Sequence, residues 1–551
     1  MISKNKKNSI IFLFFFIYFI IGLKIFKDFG IGIEEHFQRS SGFYWLSYLL
    51  EFTNFEGLKA LVNQKISDLY KLSPDLPPIE KANYYGIIFD LPMAFIESIF
   101  NIKSSANYFY LRHFSNFLIF FLSGIFFFKI IKLRTANSIT ALFGSSMYLL
   151  TPKALGNSFF DGKDLFFLSI LTICFYFYFS YEKKRNVKSL ILLAIFSAFA
   201  TSSRIFGLMV PITFLLILFL ELLNSSTHKD KNFKIIIIFL SIYFISLYVH
   251  WPYMWLINLN ELTNFFSPFK VHGSFKVFFN GEFYESTYLP INYLPKWILI
   301  STPIYFLFLF ILGYVFYSKR LFFRFLNIKE ISLNNDLWKS SNEKFDLINF
   351  ISFFQIIVIY FTLNMNLIKG WTHFIFINYF LIYFTILGMH NFFLKIRKNK
   401  KIVLGSIILF ILFTFELVYK LYIYHPYQSL YLNNFVSKSS KSLYEADYQS
   451  LSRFNGILDI INDSKKSNIT IATASWTPLK NATSLISTKN KKKLYFTGTA
   501  NKEEADYIYT NYFYEVDVRY NNKYNIPNNF YLFKTLYIDD IRIYSIYKKK
   551  S

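Results

Sequence analysis

Apolar residues in this chain come in unbroken blocks, not at the spacing of an amphipathic helix or a half-buried strand. A bilayer core of roughly 30 Å is crossed by about 20 helical residues rising about 1.5 Å each. On that measure the blocks 9–27, 108–131, 136–152, 164–181, 187–203, 205–223, 235–250, 292–317, 347–364, 373–393 and 402–424 are predicted spans. The stretch 84–100 is short and carries Asp90, Pro92 and Glu97. If it does not cross, the basic clusters at 4–7, 132–134, 183–188, 229–234, 319–344 and 395–401 all fall on one side, as the positive-inside rule requires. It is therefore predicted as a helix at the outer interface, within a long first external loop, 28–107. The basic start and apolar block at the N-terminus lack a small-residue cleavage site and are taken as a retained first span.

After residue 424 the texture changes. Short apolar runs at 469–472, 494–496, 507–509, 531–537 and 541–547 predict strands, and 447–461 predicts a helix. The expected fold is an all-α membrane bundle of about eleven spans, residues 1–424, followed by a small extracytoplasmic α/β domain, 425–551. The N-terminus is expected inside and the C-terminal domain outside, in a bacterial-type plasma membrane.

Composition agrees, because 54% hydrophobic against 17% charged residues places most of the chain in lipid. The net charge of +25 does not point to nucleic acid, since the basic residues sit between apolar blocks where topology places them. Cys174 is the sole cysteine, which excludes an intrachain disulfide and a cysteine metal site.

Candidate chemistry gathers at the outer ends of the spans. Glu34 and Glu35 follow the first span in Gly32-Ile-Glu-Glu-His36. Such a pair either supplies a general base or is a solvated acidic pair beside a helix. Asp161 and Lys163 close the connection 152–163, and Asp164 follows it. Asp164 opens a helix, where the macrodipole favours it, or serves a site. Lys163 binds phosphate or anchors at the interface. Arg204 interrupts a long apolar stretch, and an arginine at that depth pairs, reaches water by snorkelling, or serves a site. Arg112, Lys369, His373 and His425 stand at other outer span ends. A metal held by Glu34, Glu35, His36 and a distant histidine is conceivable, but no ligand spacing specifies one. No cofactor is expected. The lack of a nucleotide-binding glycine loop makes a donor delivered through the membrane more natural than a soluble nucleotide sugar.

This pattern resembles the GT-C superfamily of polytopic glycosyltransferases, which includes the protein O-mannosyltransferases and the lipid A aminoarabinose transferase. Gly32-Ile-Glu-Glu35 is similar to that family's Asp-Glu pair after the first span, with Glu34 in place of Asp. Thr151-Pro152 with Asp164 resembles its second external loop. The segments His250-Trp-Pro-Tyr-Met-Trp255, Gly370-Trp-Thr-His-Phe374, His425-Pro-Tyr-Gln428 and Tyr444-Glu-Ala-Asp-Tyr448 are similar to one bacterial branch. In the second of these, Lys369 and Thr372 stand where relatives carry Asp and Arg.

The resemblance implies an inverting hexosyl- or pentosyltransferase using a polyprenyl-phosphate-linked sugar donor. The acceptor would be a lipid, glycan or protein. Glu34 or Glu35 would be the base and Asp164 an orienting group. Lys163, Arg204, Lys369 and Arg112 would face the lipid phosphate, with Asp161, His373 and His425 completing the binding groups. The alternative is a lipid or solute transporter or flippase, whose charges would line a path through the bilayer.

Overall fold

The computed structural model describes residues 4–72, 84–224, 229–256, 274–326, 337–362 and 365–550. Parts of the expected first external loop (73–83) and of the connections at 225–228, 257–273, 327–336 and 363–364 lie outside these. Among the described residues nine helices are long and apolar enough to cross a membrane, and two shorter apolar helices accompany them. Together they cover every predicted span.

In chain order the helices are α1 (Lys4–Ile25), α2 (Glu35–Leu50), α3 (Glu56–Leu72), α4 (Asp90–Ile99), α5 (Ser105–Thr135), α6 (Ser138–Leu150), α7 (Pro152–Asn157), α8 (Asp164–Lys184) and α9 (Val187–Ser203). Then come α10 (Met209–Asn224), α11 (Lys229–His250), α12 (Pro252–Leu256), α13 (Tyr293–Ser301), α14 (Ile304–Leu326), α15 (Ser341–Thr362), α16 (Ile377–Ile396), α17 (Lys400–Ile423) and α18 (Arg453–Asp463). α4 has ten residues; at about 1.5 Å each that is about half a bilayer core, in keeping with a helix that does not cross.

The expected single span 292–317 is two helices, α13 and α14. Pro303 has no N–H to donate and holds Thr302 extended, at φ −105° and ψ 139°, which ends α13 and restarts the chain as α14. The tight turns at one end of the bundle are capped by asparagines. Asn137 accepts from Ile139 N at 2.9 Å, Asn186 from Ser189 N at 2.9 Å, and Asn399 from Lys401 N at 3.1 Å.

That same end holds a buried charge network. Asp346 accepts from Arg134 at 2.7 and 2.8 Å, from Arg320 at 2.6 Å and from the Tyr383 hydroxyl at 2.7 Å. Lys344 joins Glu182 to Glu221, and Arg185 pairs with Glu182 at 2.8 Å. These contacts tie the ends of α5, α8, α10, α14 and α15 to one another and to Tyr383 within α16, and each carboxylate there is met by cations, as burial of charge demands.

At the opposite end lie α2, α4, α7 and the residues after α17. A hairpin of β1 (Lys276–Phe279) and β2 (Glu282–Glu285) is followed by a five-stranded sheet. It is built from β3 (Ile469–Thr473), β4 (Leu494–Gly498), β5 (Tyr507–Thr510), β6 (Phe530–Ile538) and β7 (Ile541–Lys549), in the order β4-β3-β5-β7-β6. β3 is parallel to β4 and β5, while β7 runs antiparallel between β5 and β6. This unit clamps the chain that leaves α1, as Arg453 donates to Ile31 O at 3.0 Å and Ile33 N donates to Gln449 O at 3.1 Å, and it holds the start of α5, where Ser105 donates to Ser484 O at 2.6 Å.

Candidate functional site

The clamp fixes a turn at residues 32–35. Glu35 N donates to Gly32 O at 3.2 Å, and Gly32 N returns a bond to Glu35 Oε2 at 2.7 Å. Glu35 thereby folds inward, with its carboxylate 3.1 Å from His113 Nε2. Glu34, one residue earlier, keeps 35% of its side chain exposed and faces outward into a hollow. Two adjoining hollows share Glu34 and Gln38. One is walled by Tyr85, Gly86, Phe89, Asp90, Lys163 and Ser203, the other by Gly32, Asp161, Asp164, Lys369 and Gln449.

Three chain segments deliver the charges. Asp161 Oδ1 accepts from Lys163 N at 3.2 Å and from Asp164 N at 2.8 Å, capping α8 and fixing both side chains at its first turn. Gly162 lies so close to its surroundings that a Cβ there would stand 2.8 Å from Phe89 and 3.0 Å from Gln38. Arg204 follows α9 and pairs with Asp164. Lys369 sits in left-handed backbone, φ +63°, beside Gly370 at +62°, and its ammonium pairs with Glu34. Tyr85 lies among these cations, its ring centre 3.5 Å from Lys163 Nζ and 5.6 Å from the Arg204 guanidinium.

The field follows from this packing. Burial alone would raise the Glu34 carboxyl, yet Lys369, Lys163 and Arg204 hold it well below the usual carboxylate range. Asp161 moves the other way, up to about 7, through burial and the repulsion of Asp164 and Glu34. Burial lowers His373 to about 4; Arg204 and Lys369 add to this while Asp164 and Glu34 oppose it. Burial would raise the Tyr85 phenol, but Lys163 and Arg204 outweigh it and lower it. Arg204 Nε and Asp161 Oδ2 are buried without a hydrogen-bond partner among the described residues. Unmet buried groups of this kind mark room for a polar ligand.

Glu34, Asp161, Lys163, Asp164, Arg204 and Lys369 are thus brought together, with His373 inside their field. Glu35 lines the second hollow, with its carboxylate held against Gly32 N and His113. Arg112 reaches only the rim of the first, through Asp90 at 2.6 Å and over the Phe89 ring at 5.2 Å. His425 lies apart, bonded to Asp28 at 2.9 Å and to Gln428 at 3.0 Å. His36, weighed as a metal ligand, has Nε2 2.9 Å from Asn481 O. Among the described residues no group of three or more His, Cys, Asp or Glu side chains is placed to hold a metal ion. Tyr85 and Gln38 carried no sequence signal, and Asp90 was informative in the sequence only for topology.

With this geometry in place, residues 83–263 match the family model of dolichyl-phosphate-mannose-protein mannosyltransferase. The resemblance to polytopic membrane glycosyltransferases therefore holds. The matched stretch includes Tyr85, Asp90, Asp161, Lys163, Asp164 and Arg204, so most of one wall of the hollow falls within it. No curated protein matches the chain. The crystal structure of the apo oligosaccharyltransferase of Archaeoglobus fulgidus is similar at a TM-score of 0.42 and 12% identity, over 77% of this chain. The chain spans 57% of the length of that protein.

Proposed function

We propose that this glycosyltransferase-like chain moves a hexosyl or pentosyl unit from a polyprenyl-phosphate carrier to a hydroxyl or amine of a lipid, glycan or protein acceptor, at the outer membrane face and with inversion. One observation carries the reading. A carboxylate, Glu34, shares one hollow with Lys163 and the adjoining hollow with Lys369, and lies in the field of Arg204, at the bundle end covered by the sheet.

The acceptor proton passes to the Glu34 carboxylate as the acceptor oxygen or nitrogen forms its bond to the anomeric carbon. The bond from that carbon to the phosphate oxygen breaks, and its electron pair leaves on the lipid phosphate. Lys163, Arg204 and Lys369 stabilise that negative charge. A phosphate needs little protonation to depart, so one base suffices. Asp164, held at the start of α8, orients Arg204. The basic end of the bundle then faces the cytosol and the sheet faces outward.

Transfer from a polyprenyl-phosphate sugar, measured on the purified chain in lipid nanodiscs, tests this. Glu34→Gln should cost about 10²–10⁴-fold in rate, whereas His425→Ala, outside the hollow, should retain most of the activity. Transfer surviving in Glu34→Gln would overturn the assignment of the base, and its survival in Glu35→Gln as well would overturn the mechanism.

A further inference from the structure

We propose that Lys369 is a donor-operated gate on the base: it masks Glu34 in the empty protein and releases it by shifting to the lipid phosphate when the donor enters. The inference rests on reading Glu34 as the base. Its ground is the ion pair between a lysine only 4% exposed and the one acidic side chain common to both hollows.

The lysine is delivered by consecutive left-handed residues, Lys369 and Gly370. A non-glycine residue pays in strain to stand there, and such strain is retained where the surroundings over-determine it. Trp297 packs beside Gly370, and Lys369 O accepts from the Thr372 hydroxyl at 2.8 Å, so the loop is held from both sides. Only the side chain is left to move.

Three cations bear on Glu34: Lys369 by direct contact, Lys163 from the residue before α8, and Arg204 from the residue after α9. Arg204 is engaged by Asp164 and Lys163 lies over Tyr85, so Lys369 is the cation whose charge Glu34 receives directly. The other titratable groups around the hollow are Asp161, Asp90, His373 and, on the carboxylate's own turn, Glu35.

An entering phosphodiester competes for the same ammonium. Once the lysine turns to it, Glu34 loses its closest positive neighbour and gains a negative one, and both changes make it a stronger base at the moment one is needed. After transfer the dianionic polyprenyl phosphate departs, Lys369 returns, and the carboxyl is driven to release its proton. In the masked state Glu34 is a weaker base, so water is poorly activated when no donor is present.

Binding of polyprenyl monophosphate to nanodisc-embedded protein gives a test independent of turnover. Glu34→Gln should bind this probe about tenfold more tightly than the unaltered chain, and Lys369→Met about tenfold more weakly. The tightening should vanish when Glu34→Gln is made in the Lys369→Met background, as a coupled pair demands. Tightening that persists there would reduce the effect to plain repulsion and overturn the gate, as would no tightening at all. Should Lys369→Met fail to fold, Lys369→Gln takes its place in the cycle.

The pH profiles give a second reading. Lys369→Met should raise the acid limb of kcat/KM, which reports the free protein, and leave that of kcat nearly in place. Both limbs rising together would mean that the lysine stays on Glu34 through the reaction, and the gate would fall. Loss of the base reading looks different: Glu34→Gln would keep transfer whatever the binding cycle showed.

Discussion

Glu34 and Glu35 are adjacent and chemically alike, yet their surroundings differ. The turn at Gly32 spends Glu35 on a backbone N–H and on His113, and leaves Glu34 facing the cations. A sequence shows the pair but not the turn, which is fixed by the clamp at Gln449 and Arg453. Asp161 offers a test at this scale. Its carboxyl rises from the usual 3.8 to about 7 in the folded protein. The fold therefore holds a proton that the unfolded chain gives up, and this contribution is lost as pH climbs through about 7. Asn at this position keeps an oxygen for the N–H groups of Lys163 and Asp164 but does not titrate. Asp161→Asn should therefore gain on the unaltered chain between pH 5 and pH 8, on the order of 1–3 kcal/mol. Melting temperatures of both proteins at the two pH values, in one detergent, check this; a gain at the acid end would contradict the sign. Lys163 and Arg204 were legible because charge among apolar residues stands out, whereas Tyr85, one of 42 tyrosines, had nothing to distinguish it.

Spans were the most readable elements, because a long apolar helix has few alternatives to crossing a membrane. The failures came where local chemistry outweighed average hydropathy. Pro303 splits one apolar block into α13 and α14. The helix expected at 447–461 begins only at Arg453, since Asp447 (φ +43°) and Ser450 (φ +59°) are left-handed and Asp447 accepts from Leu451 N at 2.9 Å. Hydropathy is also silent on which helices are central. The candidate span of α16 is 72% buried inside the protein and that of α17 only 6%, although both are strongly apolar. α14 and α16 meet backbone to backbone: a Cβ at Gly313 would stand 1.9 Å from Phe384 O, and one at Gly388 2.1 Å from Leu309 O. Close approach through small residues is how membrane helices gain packing in the absence of a water-driven force. Gly388→Ala should therefore force the pair apart at a cost of roughly 1–3 kcal/mol. Gly405→Ala on α17, where a Cβ meets nothing within 4 Å, should change little or slightly stabilise the helix. Thermal unfolding of both variants in detergent separates the two, and equal shifts would mean that the crossing is looser than its geometry.

Over the whole molecule, charge is sorted by end. At the capped-turn end, acids and bases neutralise one another around Asp346 and Lys344. At the sheet end stand the acids and cations of the hollows, Glu34 paired with Lys369 and Asp164 with Arg204. A chain that crosses lipid with the basic clusters on the cytosolic side must then carry its hollow and its sheet on the other side, and only there does the proposed acceptor have access. Because Cys174 is the single cysteine and is buried in α8, added cysteines can be labelled one at a time over a silent background. Lys438 has 85% of its side chain exposed and Tyr520 is 87% exposed, both in the part that follows α17. Lys398 is exposed in the connection between α16 and α17, at the opposite end. A membrane-impermeant maleimide applied to intact cells should label Lys438→Cys and Tyr520→Cys, and should reach Lys398→Cys only after lysis. The reverse pattern would turn the Glu34 hollow toward the cytosol, where soluble nucleotide sugars are present and a lipid-borne donor would no longer be needed to explain the site.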